Sequence, residues 1–391
     1  MKIVMITRQF IDISFGGVEN HIFFLSEELV RAGHDVMVIR LGKGSVTREY
    51  LFDYKVIDMG RRPAQVFGQS GRSNMAQELY FRLLGNFFSR KQFIDLYSVL
   101  MDSDIVHFHD FLSIVRIAKK VKRKGRRVVW TNHLGEFLKI QKIPFGYWIS
   151  RFLSSGFDIA IAPSLELSNK RAIKPSVNYI PNAVDIQLFS QASAELRSSL
   201  KLKYGIPQNR AVYLVPRRWA PTKGVLDLVR ELANEELENC LFLFVGSGSS
   251  AYEEYRAAIT SELRRWKIEY KVVESASILE MSEYYKISEF TFIPSREEAT
   301  SLAALEAMAC GSIVLANPVG GLVQLITNGD NGLLADPYHS ESLLSLFRTS
   351  INLDNSVREK IVSNATKMVN EKYSWSKVSS DTLSVYAEIL R

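Results

Sequence analysis

Two glutamates stand eight positions apart in the apolar segment EATSLAALEAMACG, residues 298–311. Glu298 opens the segment and Glu306 lies inside it, although a helix that only fills a core needs neither charge. If the whole segment is helical, the two Cα atoms lie roughly 12 Å apart. Paired glycosidase carboxyl groups stand only about 5 to 9.5 Å apart. The spacing favours two glutamates that hold opposite ends of one elongated ligand. The alternative is one glutamate in the first turn of a helix and one exposed glutamate.

Basic residues follow a strand-like run in the same half of the chain. The run AVYLVP leads into PRRWAPTKGV, which places Arg217, Arg218 and Lys223 at the carboxyl edge of a predicted parallel sheet, where such sheets bind ligands. Cations at this edge suit a diphosphate, since they neutralise a leaving group. The alternative is a solvated basic loop. Gly246 and Gly248, in FVGSGSS, follow another strand and are a weak signal alone.

Small residues follow Glu298 where the predicted helix begins. Thr300 and Ser301 leave the amide groups of this helix start open to an anion, which suits the same diphosphate. Glu306, one to two turns further, is placed to accept hydrogen bonds from ribose hydroxyls. The segment is therefore interpreted as part of a nucleotide site.

The first half of the chain has a glycine pair and a histidine at comparable positions. Gly16 and Gly17 separate a strand from an amphipathic helix, so the backbone there can approach an anionic ligand closely. The alternative is a tight turn, and the spacing is not that of a dinucleotide fingerprint. His133 follows a strand at the same edge and is either catalytic or structural. His107 and His109, in DIVHFHD, show no further metal ligands at suitable spacing, so no metal site is predicted.

Apolar runs that alternate with helix-like segments position these residues. Such runs predict parallel strands buried on both faces. They are KIVMIT (2–7), DVMVIR (35–40), DIVHF (104–108), RVVWT (127–131), DIAIA (158–162), AVYLVP (211–216), LFLFVG (241–246), YKVV (270–273), FTFIP (290–294) and SIVLA (312–316). The pattern breaks at IPNAVDIQLF, residues 180–189. We therefore predict two doubly wound α/β domains, residues 1–182 and 183–374.

Composition limits the class of protein and its partners. The chain has 391 residues, 47% hydrophobic and 23% charged, which is typical of a folded globular protein. Its net charge of +7 favours acidic partners such as phosphates, nucleotides or an anionic membrane surface. Both cysteines, Cys240 and Cys310, lie in apolar runs and are expected as buried thiols. No signal pattern and no apolar stretch of 18 residues is found, so a cytoplasmic protein is expected.

Taken together, these motifs resemble those of the retaining glycosyltransferases of family 4, which have the two-domain GT-B fold. The segments that carry the resemblance run nearly end to end and keep the order of the family. They are FGGVENHIFFLSEELVRAGHDVMVI, DIVHFHDF, TNHLGEF, IPNAVDIQLF, PRRWAPTKG, LFLFVGSG, EATSLAALEAMACG, NPVGGLVQLITNGDNGLLADP and YSWSKVSSDTLSVYAEIL.

The resemblance implies two Rossmann-like domains that face each other across a cleft, the first for the acceptor and the second for a nucleotide-sugar donor. The last helix, about 375–391, is expected to complete the first domain. Glu298 matches the glutamate that faces the donor sugar, and Glu306 matches the one at the ribose. Arg218 and Lys223 match the basic pair that holds the diphosphate, with Arg217 as a near-equivalent alternative.

The same resemblance implies roles for residues at the two loop edges. His133 matches a histidine that lines the sugar site, and Gly17, with Gly16, matches the glycine loop near the phosphates and the acceptor. The amides of Ser301 and Leu302 are expected to contact the diphosphate. The family uses no metal and no cofactor, because basic residues and the helix dipole take the place of a metal. Attack with retention at the anomeric carbon is implied.

Two basic segments of the first half bear on the acceptor. RIAKKVKRKGRR (116–127) has eight basic residues among twelve, and NMAQELYFRLLGNFFSRKQF (74–93) mixes aromatic and basic residues. Such segments suit an anionic bilayer or a phosphate-bearing lipid acceptor, which predicts peripheral association with the inner face of the cell membrane. The alternative is a solvated helix face. Nucleic acid is a poorer partner, because no binding module accompanies the charge.

The leading hypothesis is transfer of a hexose-type sugar, from UDP- or GDP-sugar, to a glycan or lipid-linked acceptor in polysaccharide or glycolipid synthesis. A second hypothesis is a GT-B nucleotide-sugar epimerase. A third, of a different class, is a catalytically silent subunit that binds and scaffolds a partner transferase. The charged residues of the predicted site argue against the silent subunit.

Overall fold

A computed structural model describes most of the chain. The described residues are 1–7, 17–40, 48–49, 54–58, 90–109, 115–133, 140–165, 167–235, 239–248, 252–298, 301–336, 338 and 341–391. The chain divides into two compact units. The first unit comprises residues 1–182 and 375–391, and the second comprises residues 183–374. The helix at the end of the chain therefore belongs to the same unit as the first strand.

The first unit alternates strands and helices. Its strands are β1 (Lys2–Thr7), β2 (Asp35–Arg40), β3 (Arg48–Glu49), β4 (Lys55–Asp58), β5 (Ile105–Phe108), β6 (Arg127–Thr131), β7 (Ile159–Ala162) and β8 (Ser176–Tyr179). Its helices are α1 (Gly17–Arg31), α2 (Arg90–Met101), α3 (Val115–Arg123) and α4 (Gly146–Ser154), together with the final helix of the chain, Trp375–Leu390.

These strands form one sheet in the order β3-β4-β2-β1-β5-β6-β7-β8. Neighbouring strands pair in parallel except β3, which pairs antiparallel with β4. Strands β5 and β7 are buried along their whole length, as expected for a sheet covered on both faces. Trp130 and Phe157, both fully buried, stack at 5.3 Å between ring centroids in this core.

The second unit repeats the same alternation. Its strands are β9 (Ala211–Pro216), β10 (Cys240–Val245), β11 (Glu269–Val273), β12 (Phe290–Ile293), β13 (Ile313–Ala316) and β14 (Leu333–Leu334). Its helices are α5 (Ala194–Lys203), α6 (Val225–Glu231), α7 (Glu253–Leu263), α8 (Ile278–Ile287), α9 (Leu302–Ala309), α10 (Leu322–Leu325), α11 (Ser342–Ile351) and α12 (Asn355–Lys372), with a 3₁₀ turn at Pro221–Lys223. The final helix, α13, is the Trp375–Leu390 helix of the first unit.

The second sheet is parallel, in the order β11-β10-β9-β12-β13-β14. This is the strand order of a Rossmann fold, in which the sheet grows first to one side of its first strand and then to the other. Tyr213 on β9 is stacked between Phe242 of β10, at 5.0 Å, and Phe290 of β12, at 4.8 Å. The phenol of Tyr213 is hydrogen-bonded to the Ser350 hydroxyl at 2.9 Å, so the buried ring has a partner for its polar end.

The predicted fold class is confirmed: all ten predicted strands are present, within one residue at each end. The short strands β3, β4, β8 and β14 were not predicted. Two of them have only two residues, and β8 is only partly buried, so none presents the continuous apolar run that marked the others. Cys240 and Cys310 are buried free thiols, as expected.

Candidate functional site

The predicted basic residues lie where the second sheet changes its direction of growth. In open α/β sheets a crevice forms at this point, beyond the carboxyl ends of the two strands involved. Here those strands are β9 and β12, which pair directly. The loop after β9 carries Arg217, Arg218 and Lys223, and the loop after β12 carries Ser295 and Glu298. The fold therefore brings two distant segments of the sequence to one edge.

The carboxylate of Glu298 is the centre of a charged cluster at this edge. Its Oε2 atom lies 3.0 Å from Lys223 Nζ and 3.2 Å from Arg217 Nη2. The Ser295 hydroxyl donates to the same oxygen at 3.2 Å. Only 9% of the Glu298 side chain is exposed. A buried carboxylate is costly without partners, and here two cations and a hydroxyl compensate its burial and fix its orientation.

Glycines allow the backbone around Glu298 to pack closely. Gly320 has a φ of +52°, and a Cβ atom there would lie 1.7 Å from the carbonyl oxygen of Glu298. The amide of Gly321 donates to that same oxygen at 3.0 Å. On the other side, a Cβ on Gly224 would lie 1.8 Å from the carbonyl oxygen of Pro294. A larger residue at Gly320 would displace Glu298, and a larger residue at Gly224 would displace the loop that carries Lys223.

The two adjacent arginines, treated as near equivalents in the sequence, have different environments. Arg217 is buried, and its Nη2 atom donates to the Ser301 hydroxyl at 2.8 Å in addition to its contact with Glu298. Arg218 is exposed at the sheet edge. Arg217 therefore braces the cluster from inside the protein, while Arg218 is placed to meet a ligand from solvent.

The helix expected from Glu298 begins later than predicted. Helix α9 starts at Leu302, with Ser301 as its N-cap; the Ser301 hydroxyl accepts from the amide of Ala304 at 3.3 Å. Glu298 thus lies in the loop before the helix, so the condition for the 12 Å estimate, one continuous helix from Glu298 to Glu306, is not met. The first amides of a helix have no acceptor within it, so the α9 start can bind an anion beside the cluster. Thr300 lies outside the described residues.

Glu306 lies on α9 and is half-buried. Burial raises its pKa, while a hydrogen bond with the buried Tyr285 phenol and the charge of Arg217 act in the opposite direction. The pKa of Tyr285, on α8, is raised well above its usual value, mainly by burial and next by the charge of Glu306. The open alternative of a simply exposed glutamate is therefore wrong, because Glu306 has a fixed partner.

The two glycines after β10, Gly246 and Gly248, allow neighbouring backbone segments to pack closely at the site. Gly246 has a φ of +112°, and a Cβ there would lie 2.9 Å from the carbonyl oxygen of Arg217. Gly248 packs in the same way against Glu274, whose carbonyl accepts from its amide at 2.9 Å. In this structure both glycines allow close packing beside the loop that carries Arg217 and Arg218. Ligand contact by either glycine stays a prediction.

A histidine cluster occupies the equivalent edge of the first sheet. His109 follows β5, His133 follows β6, and His21 is on α1. His109 Nδ1 lies 3.2 Å from His133 Nε2, and His21 Nδ1 lies 3.2 Å from the Asn182 carbonyl oxygen. Behind them, His107 is fully buried, and its two ring nitrogens lie 2.7 Å from the Tyr386 hydroxyl of α13 and 2.6 Å from the Thr131 hydroxyl of β6.

Burial keeps these imidazoles neutral. It lowers the pKa of His21 to about 4 and that of His107 to about 3. The pKa values of His109 and His133 are well below the usual value, again mainly through burial and then through neighbouring histidines. His133 can therefore donate or accept a hydrogen bond at neutral pH but does not act there as a cation.

Contrary to the prediction from the sequence, His109 has two further potential metal ligands nearby, His21 and His133. The ligand atoms of His21, His109 and His133 lie within 4.8 Å of one another, which the sequence did not reveal because the three come from separate elements. When zinc is bound by four ligands with Zn–N bonds of about 2.0–2.1 Å, the ligand nitrogens must lie closer together than 4.8 Å. The cluster would have to contract to hold zinc. Absence of a metal requirement stays a prediction.

The glycine pair before α1 is described only in part. Gly17 is the first residue of α1, and Gly16 lies outside the described residues. The helix was predicted directly after the pair, and it begins one residue earlier, at the second glycine of the pair. The proposed approach of a phosphate or acceptor to this loop stays a prediction.

Two family profiles match consecutive parts of the chain. Residues 15–188 match the family described as Glycosyltransferase Family 4, and residues 197–368 match the family described as Glycosyl transferases group 1. The order of the two matches follows the two units of the fold. This chain is a glycosyltransferase of the group 1 and family 4 type.

Individual relatives of the glycosyltransferase span nearly its whole length. An uncharacterized glycosyltransferase of Methanocaldococcus jannaschii is 28% identical over 99% of this chain and 98% of its own. Among solved structures, sucrose-phosphate synthase of Thermosynechococcus elongatus superposes with a TM-score of 0.78 at 18% identity, covering 99% and 98% of the two chains. HepE of Anabaena, crystallised with UDP and glucose, gives a TM-score of 0.73 at 19% identity, covering 99% and 100%. The structural likeness shows the GT-B fold.

Several site residues of the glycosyltransferase were missed in the sequence. Ser295 was missed although its partner Glu298 lies only three residues further in the same loop, because a serine in a loop is not a signal by itself. Tyr285 carries no local signal, because its partner Glu306 lies on another helix. His21 was not considered in the sequence. Gly320 was the most accessible clue, since paired glycines in a loop that follows a strand mark a close backbone approach. Within the described residues, none of the helices is both long and apolar enough to cross a membrane.

Proposed function

We propose that this glycosyltransferase moves a hexose-type sugar, with retention at the anomeric carbon, from a nucleoside-diphosphate sugar to a glycan or lipid-linked acceptor. The observation that carries the donor part is the Glu298–Arg217–Lys223 cluster beside the start of α9. Two cations on one carboxylate leave a net positive charge, and exposed Arg218 adds to it. The cations already present at this edge would neutralise the charge of a bound diphosphate.

The proposed roles follow from these contacts. Lys223 and Arg218 bind the diphosphate as the bond between the anomeric carbon and its oxygen breaks, and the nucleoside diphosphate leaves with that electron pair. The amides of Ser301 and Leu302 share the same charge through the helix start. Glu298 orients the sugar hydroxyls, and Glu306 accepts from the ribose. The acceptor hydroxyl forms the new bond on the face the diphosphate leaves, and its proton passes to the departing phosphate.

The first unit supports the acceptor side of the proposal. Neutral His133 is suited to hydrogen-bond a sugar hydroxyl, because it offers both a donor and an acceptor without attracting water as an ion does. HepE and sucrose-phosphate synthase, which share the fold, favour a nucleotide-sugar donor here as well. The acceptor class rests on the family and on the basic residues of the first unit.

Ligand-induced thermal stabilisation tests the donor. A ligand that binds only the native state stabilises by about 2.7 kcal/mol at one hundred times its dissociation constant, so the right nucleotide raises the melting temperature. UDP-, GDP- and dTDP-sugars are compared for the wild type, Lys223→Ala and the matched surface control Arg264→Ala. Stabilisation by one nucleotide class, lost in Lys223→Ala and kept in Arg264→Ala, is expected. No stabilisation by any of them would sink the donor proposal.

Product analysis distinguishes the remaining alternatives. With the stabilising donor, NMR of the anomeric proton in the product should show the configuration of the donor. An inverted product would contradict retention. Conversion of the nucleotide sugar to its epimer, without an acceptor, would identify an epimerase, and tight donor binding without any turnover would identify a silent subunit.

A further inference from the structure

Helix α4 has its large side chains on the outside and its small ones on the inside. Trp148 and Phe152, one turn apart, are 75% and 69% exposed, and Tyr147 beside them is 46% exposed. The buried face of the same helix is formed mainly by small residues: Gly146, Ser150, Ser154 and the larger Leu153. An amphipathic helix that only covers a core has the opposite arrangement. The outer face of α4 therefore has the composition of a surface that meets another phase or partner.

The start of α4 adds a further aromatic ring to this face. Phe145, the N-cap residue, is 79% exposed and has a φ of 59°. It is the one non-glycine residue with positive φ among those the structure describes. The left-handed region is uncommon for a bulky residue and costs about 1 kcal/mol or more. The fold keeps this exposed ring in spite of that cost. We call the four rings Phe145, Tyr147, Trp148 and Phe152 the aromatic face.

Basic residues surround the aromatic face, and acidic residues are missing from the segments that form it. Residues 115–127, 140–157 and 167–179 contain eight, two and three lysines or arginines, and none contains an aspartate or glutamate. Lys119 on α3 places its Nζ 3.7 Å above the Phe152 ring. Arg151 Nη1 reaches the carbonyl oxygen of Ile173 at 3.2 Å, which ties α4 to the third segment. Aromatic and basic residues thus form one continuous surface.

The charges on this surface are close enough to repel one another. The pKa of Lys119 is lowered by burial and, next, by the nearby charges of Arg123 and Lys174. Lys122, in contrast, is used within the protein, since its Nζ lies 3.0 Å from the Asp158 carboxylate. An anionic partner would relieve the repulsion among Lys119, Arg123 and Lys174. A partner without negative charge would leave that repulsion in place.

We propose that the aromatic face of α4 and its basic rim dock the protein on an anionic phospholipid bilayer. Tyrosine, tryptophan and phenylalanine prefer the headgroup region, and each nearby basic residue adds attraction to anionic lipid. The proposal goes beyond sugar transfer, because it assigns a binding surface that the reaction itself does not use. It also differs from the sequence expectation, which placed the contact on the basic segments 116–127 and 74–93; residues 74–89 lie outside the described residues.

Tryptophan fluorescence tests this surface directly. Of the five tryptophans, Trp130, Trp219, Trp266 and Trp375 are at most 8% exposed, so Trp148 is the one that solvent reaches. Vesicles of phosphatidylcholine with about a third phosphatidylglycerol should shift the emission to the blue, and brominated acyl chains should quench it. Pure phosphatidylcholine should do neither. The shift should shrink as salt rises, since salt screens the attraction.

Sedimentation with the same vesicles gives a second readout with matched variants. Trp148→Ala with Phe152→Ala should reduce the bound fraction at least tenfold, and Lys119→Gln with Lys170→Gln should reduce it severalfold. Leu202→Ser, at a residue 77% exposed in the second unit, and Lys360→Gln with Lys367→Gln are the controls and should bind as the wild type. Donor-induced thermal stabilisation should survive in every one of these variants, which separates this proposal from that of the reaction.

Three outcomes would overturn the proposal. They are a Trp148 signal unchanged by anionic vesicles, binding that ignores both lipid charge and salt, and a blue shift that appears without vesicles as protein concentration rises. The last would assign the aromatic face to contact between copies of the chain.

Discussion

The two units place opposite kinds of chemistry at the same edge of similar sheets. In the second unit a buried carboxylate, Glu298, is held by Arg217 and Lys223. In the first unit the corresponding edge has buried His109 and partly buried His133, whose ring nitrogens lie 3.2 Å apart. The Glu298 site consists of paired charged groups, whereas the histidine site consists of imidazoles whose pKa values are lowered mainly by burial. The fold thus decides where a site lies, while the residues decide its charge.

This difference in charge indicates that the two units bind different chemical groups. A paired cluster with excess positive charge can exchange one anion for another, since a phosphate oxygen can replace a carboxylate oxygen at a cation. A neutral cluster of imidazoles instead offers directional hydrogen bonds to hydroxyl groups. Each prediction below tests one side of this comparison, beginning with the largest expected effect.

Loss of Arg218 or Lys223 should have the largest effect on catalysis. Arg218→Ala or Lys223→Ala should lower kcat on the order of 10²-fold or more, as removal of one transition-state donor does. Arg218 is exposed, so its loss should change thermal unfolding little. Lys223 is a partner of Glu298, so its loss should lower the melting temperature, although less than the loss of Arg217. Steady-state kinetics with Arg264→Ala as the surface control measures the effect. Activity within twofold of wild type in both variants would remove them from the site.

Loss of Arg217 should affect stability more than these variants do. Arg217→Met keeps the bulk of the side chain but removes one of two cations from buried Glu298 and the donor to Ser301. We expect the free energy of unfolding to fall by about 2 kcal/mol, the range for breaking a buried charged hydrogen bond. Urea unfolding of Arg217→Met and Lys223→Met side by side tests this. A larger loss in Lys223→Met would reverse the assigned roles of brace and ligand contact.

The two glutamates should separate nucleotide binding from turnover. Glu306→Gln should weaken binding of the free nucleoside diphosphate about tenfold, the effect of losing one charge-assisted hydrogen bond. Glu298→Gln should leave that affinity unchanged or improve it, because Arg217 and Lys223 lose an anion, yet it should lower kcat. Calorimetric titration and kinetics on both variants measure the two quantities. Equal losses of nucleotide affinity would refute separate ends for one ligand.

Mild acid should destabilise the histidine site, because burial lowers the pKa of its imidazoles. A histidine with lowered pKa stays neutral in the folded state but takes up a proton when unfolded, so stability present above pH 6.5 is lost as pH falls toward about 4, the pKa of His21. Each such histidine contributes up to about 1.4 kcal/mol per pH unit in this window. Histidine NMR signals should show His107 and His21 without titration between pH 8 and 5. A His133 that titrates near pH 6.5 would contradict a neutral site.

Removal of metal should have the smallest effect. If Arg218, Lys223 and the start of α9 supply the positive charge at the diphosphate, turnover after dialysis against EDTA should stay within about twofold of the untreated enzyme. The same test on Lys223→Ala asks whether added Mg²⁺ rescues the variant. Activity that EDTA abolishes and Mg²⁺ restores would show that the cluster does not replace a metal.

Much of the fold could be predicted because each buried parallel strand is a continuous apolar run, visible without knowledge of its neighbours. The order of strands in the sheets could not be read in that way, since it depends on which crossover packs where. The same distinction between local signals and packing applies to the residues of the candidate site. Lys223 and Glu298 stood out as charges that follow strands, but Tyr285 and His21 acquire partners only when other elements pack against them.

The sequence by itself determined the family, the parallel α/β class and the residues able to bind a diphosphate, because motif order and apolar periodicity are local properties. Only the tertiary structure decided which of two adjacent arginines is buried against Glu298. It also showed that α9 begins after Glu298, and that aromatic rings on α4 point outward. Burial is a property of the packed chain: the same side chain is a ligand contact, a brace or a surface anchor according to what packs around it.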